Sequence, residues 1–393
     1  MLSFFIFLTF LVTSYSVLHE STLSDFAIYL HMESKRRRVE KSARAEQLAA
    51  LVKWATSRGS VIQGFAFEVG LDGVGVTAAT TATGYDGDSE GKARRTATPA
   101  NQLLLSVPAR LVFSAEAALK TRAGQAIVAA AQKGDVIRVP VPIKAVLWSC
   151  MIWQRHHPEG AWHTYLSAMP STFDTPSFYT DAQRRDWLGG TNVGSSLSSH
   201  LQKIKTIYDG LFPALHTECP TLFDARIFTW EAFLWAYTAY TSRSFPPELL
   251  ATAHGDDGGN SMPDGVDGSA RAGVMLPLFD MLNHSPQTKV EWLGVAASAA
   301  ASIEAAAAAA SQAPSTLAAA AAAAPRNADT VPQVCFRWEA VNGQTQLPVG
   351  TEVMNNYGRS KIQTNPLSNQ DSARKGGDAI HQCPLDAVAL CFC

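Results

Sequence analysis

Asp280, Asn283 and His284 stand at the end of the apolar run LPLFDMLNHS, residues 276–285. A run this apolar expects burial, and buried polar groups need partners. An Asp, an Asn and a His so close together have the types of an acid–base set. No serine sits in a GxSxG elbow and no cysteine has a suitable setting, so the set does not point to a hydrolase. A lone core histidine with satisfied hydrogen bonds would explain the pattern blandly. A second polar signal, EVMNNYGRS at 352–360, weakens that explanation.

Two further constellations have chemical types. GLDGVGVTA, residues 70–78, brings Asp72, Gly73 and Val74 into a glycine-rich turn. Its spacing is not GxGxxG and no helix follows, so a dinucleotide fingerprint fails. It reads either as a plain glycine hairpin or as a turn whose bare backbone approaches a ligand. Arg243 ends FLWAYTAYTSR, residues 233–243. A cation at a helix C-terminus is favourable by ~0.3–1 kcal/mol without any function. Its neighbours are strongly apolar, however, and a guanidinium is suited to holding a carboxylate in a fork. His156, His157 and Cys150 match no zinc spacing, and the CxC of the tail CPLDAVALCFC has no matching cluster, so no metal site is expected.

These residues must be positioned by a frame of mixed type. Residues 43–58 have the apolar spacing of a helix, stopped by Gly59. VIQGFAFEVG, GVGVTA and QLLLSVPARLVFS follow as short strands bounded by Gly, Pro or Asn. From about 140 to 245 the pattern is helical: IKAVLWSCMIWQRH, PSFYTDAQRRDWLGGT, HLQKIKTIYDGLF and TWEAFLWAYTAYTSRSF. Thr229 is placed to cap the last of these, and Phe233, Leu234, Tyr237 and Tyr240 share one face. QVCFRWEA and GTEVMNNYG resume as strands. Strands, a helical block and strands again give an α+β class rather than alternating βαβ. Non-core inserts fall at the joints, at about 80–99, 251–272 and 296–324. The last is nearly pure alanine and has no apolar stripe to dock.

The bulk properties agree with a globular protein of 393 residues. Hydrophobic residues are 47%, enough for a core even after discounting the alanine tract. A net charge of -2 gives no hint of a nucleic-acid surface, and no direct nucleic-acid binding is expected. The 6 cysteines are sparse and irregular, which favours a reducing compartment over a disulfide framework. Residues 1–31 hold an apolar stretch of signal-peptide length, too short for a stable membrane span. They read as a leader, or as sequence ahead of a functional start at Met32. A start at Met32 implies cytoplasm or nucleus, the latter through KRRR at 35–38; the apolar stretch implies secretory or chloroplast entry.

MLPLFDMLNHS followed later by GTEVMNNYG resembles the C-terminal half of a SET domain. The nearest resemblance is to the Rubisco large-subunit lysine methyltransferase subfamily. GLDGVGVTA and QLLLSVPARLVFS resemble its N-terminal half, and WHTYLSAMPSTFDTPSFYT with FTWEAFLWAYTAYTSRSF its helical insertion. The match covers about 43–360 with the inserts excluded. The resemblance implies S-adenosylmethionine as cofactor and a lysine of a non-histone protein as acceptor, a histidine in a few relatives. Carried over, Asp72, Gly73 and Val74 lie along the cofactor, and Arg243 sits near its amino-acid end. Asn283 and His284 hold it, Asp280 braces their turn, and Tyr357 is the catalytic tyrosine beside the methyl group. Leu276 to Leu282 are then a core strand and turn, and the cofactor and the NNYG segment together complete the hydrogen bonds of Asn283 and His284.

After NNYGRSK the chain departs from the family's SN.ELL..YGF continuation, and 361–393 reads as an irregular tail. The second tyrosine segment and the helical C-terminal substrate-binding domain are missing from this reading. It leaves two expectations: a lysine methyltransferase of reduced activity, or a degenerate SET module that binds protein or cofactor without efficient turnover.

Overall fold

The computed structural model describes residues 39–70, 74–79, 98–99, 104–134, 137, 140–250, 262–269, 271–295, 333–338 and 346–356. Asp72, Gly73, Tyr357, the alanine tract and the tail 361–393 lie outside these residues.

Helix α1 covers residues 39–56 and buries Leu48, Leu51, Trp54 and Ala55. Gly59 follows at φ +89°, a conformation that stops a helix cheaply only at glycine. Strands β1 (Val61–Gln63), β2 (Phe65–Val69), β3 (Val74–Ala78), β4 (Thr98–Pro99) and β5 (Leu104–Pro108) come next. β2 and β3 form an antiparallel hairpin, with Val69 opposite Val74.

The helical part contains α2 (Ala115–Lys120), α3 (Arg122–Gln132), β6 (Val141–Pro142), α4 (Ile143–His156), α5 (His163–Ser167), α6 (Asp181–Leu188), α7 (Asn192–Glu218) and α8 (Trp230–Arg243). The bounds of α4 coincide with the stretch expected from sequence. Thr229 caps α8 as expected, its hydroxyl accepting from the Ala232 amide at 3.2 Å. α8 buries every residue from Phe233 to Tyr240, not one stripe alone. The reason is that α4 and α7 both pack on it. Trp148 of α4 meets the ring edges of Phe233 at 5.5 Å and Tyr237 at 5.3 Å. Phe212 of α7 meets Phe233 at 5.5 Å. Burying each such aromatic contributes roughly 1.5–3 kcal/mol, so α8 is held firmly at its C-terminal Arg243.

The chain continues through β7 (Ser244–Phe245), β8 (Val266–Asp267), β9 (Val274–Met275), β10 (Val290–Val295), β11 (Gln333–Trp338) and β12 (Gln346–Leu347). The main sheet has the order β1-β5-β11-β10, antiparallel throughout. β7 pairs with β9, tying the end of α8 to the start of the segment with Asp280 and Asn283. The class is α+β, as the order of elements in the sequence implied.

Three local expectations are corrected. Of the core strand and turn expected at 276–282 the turn is present but not the strand, which ends at Met275: Leu278 has φ 75° and leads into a 3-10 turn at Phe279–Met281. A non-glycine residue at positive φ is strained, on the order of 1–3 kcal/mol, and holds only where packing over-determines it. Here Leu276, Leu278, Phe279 and Leu282 are all fully buried. The segment 350–356 is not a regular strand but makes single bridges on two sides. The Gly- and Asp-rich stretch 251–272 is not wholly loop, since Val266 and Asp267 pair in parallel with Val141 and Pro142.

Candidate functional site

Three segments far apart in sequence interlock at one corner. Residues 350–353 run antiparallel along β3, with Ala78 N–H donating to Thr351 O at 2.8 Å and Val353 N–H to Val76 O at 2.7 Å. Two residues later the same segment leaves β3 and joins the Asn283–His284 corner. The Asn355 amide donates to Asn283 O at 2.7 Å, and the Ser285 amide donates to Asn355 O at 2.8 Å. His284 and Asn355 are thereby bridged in parallel. The NNYG segment thus supplies backbone partners to Asn283 and Ser285.

Asn355 pins the corner from inside. It is fully buried, and its Oδ1 accepts from Trp292 Nε1 at 3.2 Å and from the Asn356 amide at 2.8 Å. Its Nδ2 has no hydrogen-bond partner among the described residues. Asn356 then donates to Thr288 O at 2.9 Å, fixing the backbone that leads to Tyr357.

Asn283 and His284 themselves are exposed. An apolar run led to the expectation of burial; the 3-10 turn instead ends the run and turns both residues out of the core. Asn283 Nδ2 donates to Glu352 Oε1 at 2.6 Å. Val74 opens β3, the strand whose Val76 and Ala78 pair with residues 350–353.

Asp280 lies in the 3-10 turn that precedes Asn283. Its side chain is wholly buried, and its Oδ2 accepts from Tyr165 Oη at 3.0 Å and lies 3.4 Å from Arg243 Nη1. Arg243 Nη1 also donates to the backbone carbonyl of Asp280 at 2.7 Å. The end of α8 is therefore locked to the 3-10 turn by side chain and backbone together. Burial raises the Asp280 carboxyl above its ordinary value, and the neighbouring Arg243 and Tyr165 pull the other way. Burial, reinforced by the Asp280 charge, also raises the Tyr165 phenol. Arg243 Nε is buried with no hydrogen-bond partner among the described residues, which leaves a donor for something else.

Tyr165 and Glu352 were missed from sequence. Each meets its partner across a separation no periodicity reports, 115 and 69 residues. Cys150 is buried beside Thr121, and burial pushes its thiol up to about 12, far from a reactive thiolate.

No family model matches the chain. Its sequence is 27% identical over 134 residues to the ribosomal lysine N-methyltransferase set10 of Schizosaccharomyces pombe, covering 34% of this chain and 20% of that protein. It is 23% identical over 245 residues to the actin-histidine N-methyltransferase of Homo sapiens, covering 62% of this chain and 35% of that protein. This chain is similar to SET-domain protein methyltransferases. It spans about a fifth to a third of the length of these relatives. The SET domain of LSMT, solved with lysine and AdoHcy, superposes with a TM-score of 0.49 at 16% identity over 80% of this chain and 54% of that one. Among the described residues, Asn283 and His284 lie in the corner of β3, residues 283–285 and residues 355–356, and Arg243 reaches the preceding turn through Asp280.

Proposed function

We propose that the chain binds S-adenosylmethionine at this corner and transfers its methyl group to a side-chain nitrogen of a protein. The observation that supports this most is the interlock itself. The DMLNHS and NNYG motifs, separated by the alanine tract, meet through paired backbone hydrogen bonds beside β3, with Arg243 fixed against the turn.

The residues present fit such a cofactor. Arg243, with its unpartnered buried Nε, suits the carboxylate of an amino-acid end. Asn283, His284 and Val74 would hold the remainder, and Asp72, Gly73 and Tyr357 are assigned by resemblance to complete the site. When bound, the cofactor supplies a methyl group on an electrophilic sulfonium. The work left to the protein is alignment and exclusion of water. A lysine acceptor, pKa about 10.4 in water, must be neutral to attack, and apolar surroundings favour that form. The Tyr357 hydroxyl would orient the amine.

The acceptor is assigned as a lysine of a non-histone protein. A histidine acceptor is the second reading, favoured by the longer match to an actin-histidine enzyme. The methyltransferase unit is assigned to 43–360, with a helical insertion at about 140–245. Incubation of the chain with isotopically labelled S-adenosylmethionine and a protein extract tests this, with tryptic mass spectrometry to locate the label. Label on lysine is expected, and label on histidine selects the second reading. Transfer to neither by a folded chain overturns the proposal.

A further inference from the structure

Glu352 lies where the three segments meet. Its Oε1 accepts from Asn283 Nδ2 at 2.6 Å, and the residue bridges Thr77 of β3. A Cβ built on Gly75 would stand 3.8 Å from the same oxygen. The residue is exposed, so its charge is open to a ligand rather than absorbed by the core. Of the side chains assigned so far, Arg243 is a pure donor that suits an anion, and Asn283 is neutral, its Nδ2 given to Glu352. An amino-acid end is zwitterionic, and its ammonium needs an acceptor as much as its carboxylate needs a donor.

We propose that Glu352 is a specificity-determining residue of the cofactor site, its carboxylate held by Asn283 to receive the ammonium of the amino-acid end. This rests on the cofactor reading above. Charge-assisted hydrogen bonds are roughly twice as strong as neutral ones. Anchoring one carboxylate oxygen on Asn283 lowers the entropy lost when the side chain is ordered by a ligand. The absence of a side chain at Gly75 leaves the carboxylate approachable from the β3 side. Arg243 and Glu352 would then read the two charges of one zwitterion from the two ends of the Asp280–Asn283 turn.

The test is a two-by-two calorimetric comparison on the full chain. The variant is Glu352→Gln, which keeps size and an acceptor for Asn283 and removes only the charge. The probes are S-adenosylhomocysteine and its deaminated analogue, which lacks only the ammonium. Native chain is expected to bind the deaminated analogue about tenfold more weakly, a loss of about 1.4 kcal/mol. Glu352→Gln is expected to bind S-adenosylhomocysteine about tenfold more weakly and to show almost no further loss on deamination. Additive losses, or an unchanged affinity of Glu352→Gln for S-adenosylhomocysteine, overturn the role of Glu352 while leaving the cofactor reading intact. Failure of the native chain to bind S-adenosylhomocysteine overturns the cofactor reading itself.

Discussion

The hydroxyl of Tyr165, on the short helix α5, donates to the buried carboxylate of Asp280 at 3.0 Å. The helical part of the chain thus reaches into the turn that presents Asn283. The same carboxylate oxygen faces Arg243 at 3.4 Å, so one atom joins α5, α8 and the 3-10 turn.

Tyr165→Phe removes the donor and leaves a buried carboxylate less satisfied. Asp280 Oδ1 already lacks a partner among the described residues. The expected loss is about 1–3 kcal/mol, read as a lowered denaturation midpoint at unchanged m-value. A midpoint shift corresponding to under about 0.5 kcal/mol, the usual range for surface changes, would contradict it.

Asp280 also sets a pH dependence. Burial raises its carboxyl in the folded chain, so the folded state holds this proton more tightly than the unfolded state does. Stability from this group is therefore greatest below the unfolded value near 3.9 and falls as pH rises towards the raised value. The stability of the native chain relative to Asp280→Asn should decline across that window and then level off. A native advantage that grows with pH there would mean the carboxyl is depressed instead.

The acceptor class has its own pH signature. A lysine must shed a proton from a group of pKa about 10.4, a histidine from one of about 6.5. With lysine as acceptor, kcat/KM should still be rising above pH 8; with histidine it should flatten at or below about pH 7. A plateau by pH 7 would contradict the lysine assignment.

The alanine tract should be dispensable. Val295 of β10 and Gln333 of β11 face each other in the antiparallel register, so residues 296–332 join two ends that are already adjacent. Closing a loop costs only about 0.6 kcal/mol per doubling of its length. Replacing 297–331 by a short turn should leave the melting temperature unchanged or slightly raised. A fall of many degrees would show that the tract packs on the fold.

Much of this frame was legible in the sequence, and the illegible parts have physical reasons. α4 and the Thr229 cap follow from local rules, apolar spacing and a side-chain acceptor before a helix. Within the strand and turn expected at 276–282, the turn starts earlier than the apolar run suggests, because apolar content alone does not report Leu278 at φ 75°. α7 runs from Asn192 to Glu218, well beyond the helical spacing of residues 200–212, and contains Pro213. Tertiary packing of Phe212 and Leu215 holds it across that residue. Asn283 was legible as a chemical residue, but its partner Glu352 was not, because the chain must fold before they meet.

Everything proposed for this chain rests on S-adenosylmethionine binding at the corner beside Arg243. The most direct test is isothermal titration of the full chain with that ligand, alongside Arg243→Ala. Saturable one-to-one binding by the native chain is expected. Binding at least about tenfold weaker is expected in the folded variant, the loss of a charge-assisted contact worth roughly 1.5–3 kcal/mol. No binding by a folded native chain, or equal binding by both proteins, would contradict it.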